Sequence, residues 1–484
     1  MTGPRETGVE VVEVSFEVVE VSGERTVRAP LTWGQQFIYR ALQRRADRAH
    51  YDYNQRVSLP VPEGRTLREV IGAIRALVTA HESLRTVYRD GTADSTPYQE
   101  VRGEGRLTVR VVRGDDPAAA LDALAGTDFD LSREWGIRAA VLTGPDGEPR
   151  HLALYVSHVA VDGWAMGLVV RELKAHLAGG GKPVGTKRAE SVPQPADLAG
   201  IERSDAGRTM DRRADAYQRS LLRRAPRTLF PTRHPTCPEP ADPAGPPEWA
   251  HGEFRSGRLE EAAREVAARC RAGEETVYLA AVGALLARRA GLSHCALTTI
   301  FANRIGAARQ AMVTPLASDV LLCFDVSGPS FDDCVRAAHL AKLRGYARAQ
   351  YDPVRLGRLV AEVGRERGEQ LDLSVLHNDL GALTPPEEAP EKAPEEGEGA
   401  RGPSGAETSF RWAEPFRLPS VKLYCAVRTA ERGERVIAVA ADTRYLPAPD
   451  LRELLYGVEE LVVTERRGPH GPRDTDERLP AHVS

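Results

Sequence analysis

The sequence lacks several features that would assign it quickly to a class of protein. No apolar run approaches the roughly 20 residues of a membrane-spanning helix, and the start, MTGPRETGVEVVEV, has neither the basic residues nor the continuous apolar stretch of an export signal. Basic residues are not in excess, since 65 Lys and Arg stand against 69 Asp and Glu. We therefore expect a cytoplasmic protein whose partners are neither a membrane nor a nucleic acid.

Motifs for metal, nucleotide and hydrolase chemistry are also missing. The sequence contains no phosphate-binding GxxxxGK[ST], no GxGxxG after a strand, no HExxH and no GxSxG. Its six cysteines form no CxxC pair and show no metal-ligand spacing, so we expect reduced, mostly buried thiols: Cys237, Cys270, Cys295, Cys323, Cys334 and Cys425. No bound metal or redox cofactor is expected.

The 484 residues are enough for two or three compact units. Valines and a phenylalanine alternate with polar residues over 12–18, the period of a half-buried strand. Thr66 and Glu69 form a capping box at the start of an amphipathic helix that continues to Val78. Residues 178–200 are rich in Gly, Pro and polar residues without periodicity, which is typical of an inter-lobe linker.

The second half repeats this mixture of helices and strands. Helices are predicted near 259–271, 276–290, from 331 and over 451–462, and strands near 295–301, 319–326, 371–377, 420–428 and 435–442. The fold class is therefore α/β (α+β), with two lobes of similar make-up. The acidic, proline-rich segment 385–405 cannot pack in a core and is predicted to be a mobile surface loop.

One hexapeptide, 158–163 (HVAVDG), lies where a predicted strand gives way to a predicted helix. A neutral imidazole at His158 can accept a proton from an attacking amine or hydroxyl. Asp162, four residues later, can fix the loop by an internal ion pair, and the backbone N–H of Gly163 can stabilise a developing oxyanion. These parts suit acyl transfer without a covalent enzyme intermediate.

With Ser157 included, this motif resembles the HHxxxDG core of nonribosomal peptide synthetase condensation domains. Other segments resemble further motifs of that family and follow in the family's order: LTWGQQ at 31–36, AHESLRT at 80–86, ANR at 302–304, MVTPL at 312–316 and QYDPV at 350–354. The similarity covers about residues 31–463, which is nearly the whole chain.

The resemblance implies a pseudo-dimer of chloramphenicol-acetyltransferase-like lobes, arranged as a V with a central tunnel. The implied division is an N-terminal strand extension at 1–30, a first lobe at 31–190, a second lobe at 191–464 and a flexible tail at 465–484. It also implies acyl transfer from a carrier-protein thioester, on a 4'-phosphopantetheine arm, to an amine or alcohol acceptor. Because adenylation and carrier motifs are absent from the sequence, we expect a stand-alone enzyme that meets its carriers in trans. We also expect it to be a monomer.

Site roles follow from the same resemblance. His158 corresponds to the catalytic histidine and Gly163 to the oxyanion-side glycine. Asp162 corresponds to the aspartate that holds the loop and pairs with an arginine, for which Arg304 and Arg85 are the two candidates. Trp164 and Ser318 are expected along the substrate tunnel. Ser157 replaces the first histidine of the motif, whose role in the family is mainly architectural.

Two alternative functions remain open. One is an acyl-CoA-dependent acyltransferase of the same superfamily, because HxxxDG alone suits such enzymes, although the DFGWG motif of the plant branch is absent. The other is a catalytically silent module that docks carriers, which the replacement of a histidine by Ser157 keeps open.

Overall fold

The computed structural model describes residues 14–23, 25–43, 53–91, 96–179, 192–230, 248–383, 408–418, 420–430 and 434–465. The strands of its first part are β1 (Val14–Ser22), β2 (Val27–Pro30), β3 (Gln55–Pro60), β4 (Thr86–Arg89), β5 (Tyr98–Val101), β6 (Glu104–Arg113), β7 (Ile137–Thr143) and β8 (Pro149–Val156). They form a five-stranded sheet with the order β1-β6-β7-β8-β3 and a three-stranded sheet with the order β2-β5-β4. Only the β6–β7 pair of these sheets is parallel.

Four helices accompany these sheets: α1 (Trp33–Gln43), α2 (Leu67–Ala80), α3 (Pro117–Ala125) and α4 (Gly163–Ala178). The predicted capping box begins α2, since the Thr66 hydroxyl accepts the Glu69 N–H and a Glu69 oxygen accepts the Thr66 N–H at 2.7 Å. Apolar side chains from α2, α4 and one face of the five-stranded sheet form the first core. A short 3-10 helix, Glu82–Arg85, follows α2.

Two helices then lead to the second part of the chain, α5 (Pro195–Glu202) and α6 (Asp205–Leu222). The prediction of a linker over 178–200 is wrong at 195–200, which belong to α5. Pro195 occupies the first helical turn and Asp197 Oδ2 accepts the Gln194 N–H at 2.9 Å, so the helix start is favoured despite the polar, proline-containing sequence. Residues 180–191 of the predicted linker lie outside the described residues.

A seven-stranded sheet organises the second part, with the order β11-β10-β12-β14-β15-β9-β13. In chain order its elements are β9 (Trp249–Arg255), α7 (Gly257–Cys270), α8 (Glu274–Arg289), β10 (His294–Phe301), α9 (Ala307–Gln310), β11 (Ser318–Asp325), α10 (Phe331–Tyr346), α11 (Pro353–Arg367), β12 (Val375–Asp379), β13 (Ser409–Trp412), β14 (Leu423–Thr429), β15 (Arg435–Asp442) and α12 (Ala448–Thr464). The mixed helix and strand content predicted for both halves is confirmed. The larger core lies between this sheet and the helices α7, α8, α10 and α12.

Two local predictions need correction. In β1 the alternating apolar residues Val14, Phe16 and Val18 are exposed, because the strand buries its other face, with Val19 and Val21, in the first core. The strand predicted at 371–377 begins only at Val375. The predicted loop 385–405, residues 466–484 of the predicted tail and Cys237 lie outside the described residues.

The five described cysteines are buried free thiols. Within the described ranges, no helix has both the length and the apolar character needed to cross a membrane.

Candidate active site

The loop 157–162 joins the end of β8 to the start of α4 and carries His158. It makes a tight turn, because the Ser157 carbonyl accepts the N–H groups of Ala160 at 2.9 Å and Val161 at 3.2 Å. Other carbonyls of the loop are held by side chains from the segment after α2: Tyr88 Oη donates to the Val159 oxygen at 3.1 Å, and Ser83 Oγ donates to the Ala160 oxygen. The backbone beneath the histidine is therefore held at several points.

The imidazole of His158 is held in one tautomer by its own loop. Nδ1 lies 2.9 Å from the Val161 carbonyl oxygen, which can only accept, so Nδ1 carries the proton. Nε2 is then the basic nitrogen of the neutral ring, and it has no hydrogen-bond partner among the described residues. Burial lowers the pKa of His158, against a smaller opposing effect of the Asp162 charge. The half-buried ring is neutral near pH 7, with Nε2 able to accept a proton.

Asp162 binds structural elements of both halves of the chain with its two carboxylate oxygens. Oδ1 accepts the Ala165 N–H at 2.8 Å, which caps α4, and accepts Arg304 Nη2 at 2.6 Å. Oδ2 accepts the N–H groups of Leu316 at 2.9 Å and Ala317 at 3.3 Å. The carboxylate is buried. Its oxygens are thus occupied by structural donors.

Arg304, rather than Arg85, pairs with Asp162. Its guanidinium also donates to three carbonyl oxygens of the segment between β10 and β11, those of Arg309, Met312 and Thr314, at 2.7–3.1 Å. Arg85 instead donates to the carbonyl of Arg102 at 2.7 Å. Burial lowers the pKa of Arg304, while the Asp162 charge raises it.

Gly163 is the first residue of α4, and its backbone N–H has no acceptor in the part of the chain that the structure describes. The first turn of a helix leaves such N–H groups unpaired, and the helix dipole adds a partial positive charge there. An oxyanion beside this turn would be stabilised. Ser157, the residue before His158, is buried and fixed through its backbone N–H, which donates to the Gly136 carbonyl at 2.8 Å.

The two residues predicted to line a tunnel lie in different surroundings. Trp164 follows Gly163 on α4, is half-buried and donates from Nε1 to the Gln310 carbonyl at 3.0 Å. Ser318 begins β11 and donates to the Ala349 carbonyl at 2.9 Å. It lines a cavity beside α1 together with Trp33, Asn303 and Tyr351. Neither His158 nor Trp164 lines this cavity. That Trp164 and Ser318 lie along a substrate tunnel stays a prediction.

Sequence reasoning missed Asn54, which lies just before β3. Its side-chain oxygen accepts the backbone N–H of His158 at 3.1 Å, and its amide nitrogen donates to Tyr155 Oη at 2.7 Å. No local pattern indicates this contact, because Asn54 and His158 are 104 residues apart. Among the described residues, no group of three or more His, Cys, Asp or Glu side chains could hold a metal ion.

Comparison with known proteins gives the family. Residues 27–378 match the model of the condensation domain. Curated relatives include the nonribosomal peptide synthetase CymA of Salinispora arenicola, 28% identical over 331 residues, which are 66% of this chain and 4% of CymA. Phosphinothricin tripeptide synthetase PhsB of Streptomyces viridochromogenes is 26% identical over 403 residues, 80% of this chain and 32% of PhsB. The chain thus spans only a small part of CymA and about a third of PhsB.

Solved structures share the fold. The condensation domain of the monacolin K polyketide synthase MokA aligns over 92% of this chain and 98% of its own, with a TM-score of 0.67 and 17% identity. The X-domain bound to OxyB, from teicoplanin biosynthesis, aligns over 94% and 96%, with a TM-score of 0.66 and 18% identity. The predicted two-lobe, chloramphenicol-acetyltransferase-like fold is confirmed. Condensation domains act on substrates carried by carrier-protein phosphopantetheine arms, and this chain belongs to the condensation-domain family.

Proposed function

We propose that this protein transfers an acyl group from a carrier-protein thioester to an amine or alcohol, forming an amide or an ester. The carriers are supplied as separate proteins, and each thioester is presented on a phosphopantetheine arm. The proposal further assigns His158 as the general base and the Gly163 N–H as an oxyanion donor. Asp162 and Arg304 hold the loop, and Ser157 occupies an architectural position in it.

The observation that carries this proposal is the state of the His158 ring. Because Nδ1 donates to the Val161 carbonyl, the basic lone pair is on Nε2, and burial favours the neutral form. A general base must be unprotonated before it can act and must present the correct nitrogen. Burial of the ring supports the first condition, and the hydrogen bond from Nδ1 to Val161 supports the second.

The reaction follows from these groups. The lone pair of the nucleophile attacks the thioester carbonyl carbon while Nε2 takes the proton from the nucleophile. The resulting oxyanion lies at the start of α4, where the Gly163 N–H can donate to it. The tetrahedral intermediate collapses by breaking the carbon–sulfur bond, and the imidazolium returns its proton to the leaving thiolate. The products are the amide or ester and the free pantetheine thiol.

Relatives support a transfer of this kind. PhsB is named a tripeptide synthetase. A structural neighbour is described as a condensation domain that mediates chain release from the enacyloxin polyketide synthase, with a TM-score of 0.65 and 16% identity. We infer an acyl transfer for this chain as well.

The test is acyl transfer between loaded carriers, followed by intact-mass measurement of both carriers. We expect His158→Ala to lower the transfer rate by about 10² to 10⁴, the usual contribution of a general base. The matched control is Ser157→Ala, one residue away. The Ser157 hydroxyl makes no hydrogen bond within the described ranges, so we expect transfer within about two-fold of wild type. An unchanged rate in His158→Ala would remove His158 from the mechanism.

Two alternatives are outcomes of the same assay. Turnover of the acyl group on coenzyme A, but not on a carrier, would indicate an acyl-CoA-dependent enzyme. Carrier binding without transfer would indicate a silent docking module, which the similarity to an X-domain bound to OxyB and the presence of Ser157 favour. Nε2 of His158, which has no hydrogen-bond partner among the described residues, favours the transferase.

A further inference from the structure

Asn54 joins the edge strand β3 to the base of the His158 loop. The antiparallel pairing of β3 with β8 places Gln55 opposite Val156, the last residue of β8. Asn54 therefore stands where the strand pairing ends and the loop begins. Beyond the last backbone pair, the next contact between the two segments is made by the Asn54 side chain, whose oxygen accepts the His158 N–H at 3.1 Å.

The orientation of the Asn54 amide is fixed by its two partners. The His158 N–H can only donate, so it must face Oδ1, and Nδ2 then donates to Tyr155 Oη at 2.7 Å. Tyr155 is itself well packed, since its ring is buried and stacks on Phe129 with centroids 5.2 Å apart. The asparagine thus connects the main chain of His158 to a rigid ring in the sheet.

We infer that Asn54 is a positioning residue for the imidazole of His158. The main chain of residue 158 is held by Asn54 and the ring is held by the Val161 carbonyl, which together set the direction of Nε2. Without Asn54, the His158 N–H has no other acceptor among the described residues, and the loop can rotate to find one. This inference rests on the proposed function, because it assigns a purpose to the orientation of the base.

Three variants separate positioning from folding. Asn54→Ala removes both contacts. Asn54→Asp keeps an oxygen that accepts the His158 N–H and adds a negative charge beside the imidazole. Tyr155→Phe removes only the hydroxyl that accepts the Asn54 amide N–H, and it is the matched control.

The first measurement is carrier-to-acceptor acyl transfer as a function of pH. We expect Asn54→Ala to lower kcat by about 10-fold to 100-fold with KM within about two-fold, because a misplaced base slows the step without weakening substrate binding. Asn54→Asp should restore kcat to within about five-fold of wild type and raise the kinetic pKa of the acid limb, since a nearby anion favours the imidazolium. Tyr155→Phe should lower kcat less than Asn54→Ala does. Wild-type kcat in Asn54→Ala, or equal losses in the Asp and Ala variants, would overturn the inference.

The second measurement needs no substrate. The ring nitrogens of His158 are observed by ¹H–¹⁵N NMR of histidine-labelled protein and assigned by comparison with His158→Gln. We expect one tautomer, protonated at Nδ1, in wild type and in Asn54→Asp, and a mixture in Asn54→Ala. A single tautomer in Asn54→Ala, identical to that of wild type, would overturn the inference. If wild type transfers no acyl group, the proposed function fails, and these spectra alone decide the role of Asn54.

Discussion

Replacing Arg304 by Met should destabilise the protein far more than the loss of an ordinary ion pair. The side chains of Arg304 and Asp162 retain 3% and 5% of their exposure, and their charged atoms are 2.6 Å apart. The substitution would leave a buried carboxylate without its cation and would remove the guanidinium donor from three carbonyl oxygens. Removing one partner of a buried pair typically costs about 3–5 kcal/mol.

That loss is large beside the roughly 5–15 kcal/mol by which folded proteins are stable. We would measure the free energy of unfolding by urea titration, followed by circular dichroism. The matched control is Arg106→Met, whose ion pair with Glu20 joins two side chains with 74% and 72% of their exposure. Exposed pairs contribute little, so we expect no measurable change in the control.

A double variant tests the cause. Asp162→Asn removes the charge that Arg304 neutralises, so combining it with Arg304→Met should cost less than the sum of the two single losses. An Arg304→Met loss below about 1 kcal/mol, or strict additivity in the double variant, would refute the idea that this pair holds the two halves together.

Three further predictions concern pH and packing. Burial lowers the pKa of His158 below its usual 6.5. We therefore expect kcat/KM to rise with pH through an apparent pKa below 6.5 and to stay level up to about pH 7.5. An apparent pKa above 7 would contradict the assignment of the base. Burial, and secondarily the Lys342 charge, lowers the pKa of His377 to about 3, so the unfolded chain binds its proton first as pH falls below 6.5. As the pH falls from 6.5 to 5, His377 should therefore lower the free energy of unfolding, measured by urea titration, by about 1–2 kcal/mol. His377→Leu should remove that part of the pH dependence. An equally steep fall in the variant would contradict the prediction. A Cβ on Gly34 would lie 2.2 Å from the Pro315 carbonyl oxygen, so Gly34→Ala should lower the free energy of unfolding in urea titrations by about 1–3 kcal/mol. A Cβ on Gly72 meets nothing within 4 Å, so Gly72→Ala should not destabilise the protein. Equal effects of the two substitutions would refute the packing argument.

Features set by neighbouring residues could be predicted from the sequence. The start of α2 is determined by Thr66 and Glu69, three residues apart, and the structure has the same capping box. Local patterns fail where two signals compete. At α5 the polar, proline-containing segment suggests a linker, while Pro195 and Asp197 together favour a helix start.

The candidate site could be predicted only in part. The strand, turn and helix around His158 are local, and the sequence indicates them. The partner of Asp162 had two candidates, because Arg304 lies 142 residues away and no periodicity reports such a distance. Asn54 was missed for the same reason. Its position depends on how β3 pairs with β8, which the residues around Asn54 do not encode.

The single carboxylate of Asp162 is shared by the helix that begins after the histidine and by the chain between β10 and β11. If the two parts of the chain separated at this point, the Asp162 carboxylate would lose its partner Arg304. The cap at the start of α4 would be weakened by the same movement. Separation of the two parts of the chain at Asp162 would therefore disturb the loop that carries His158. We therefore expect substrates to reach His158 while this contact stays intact.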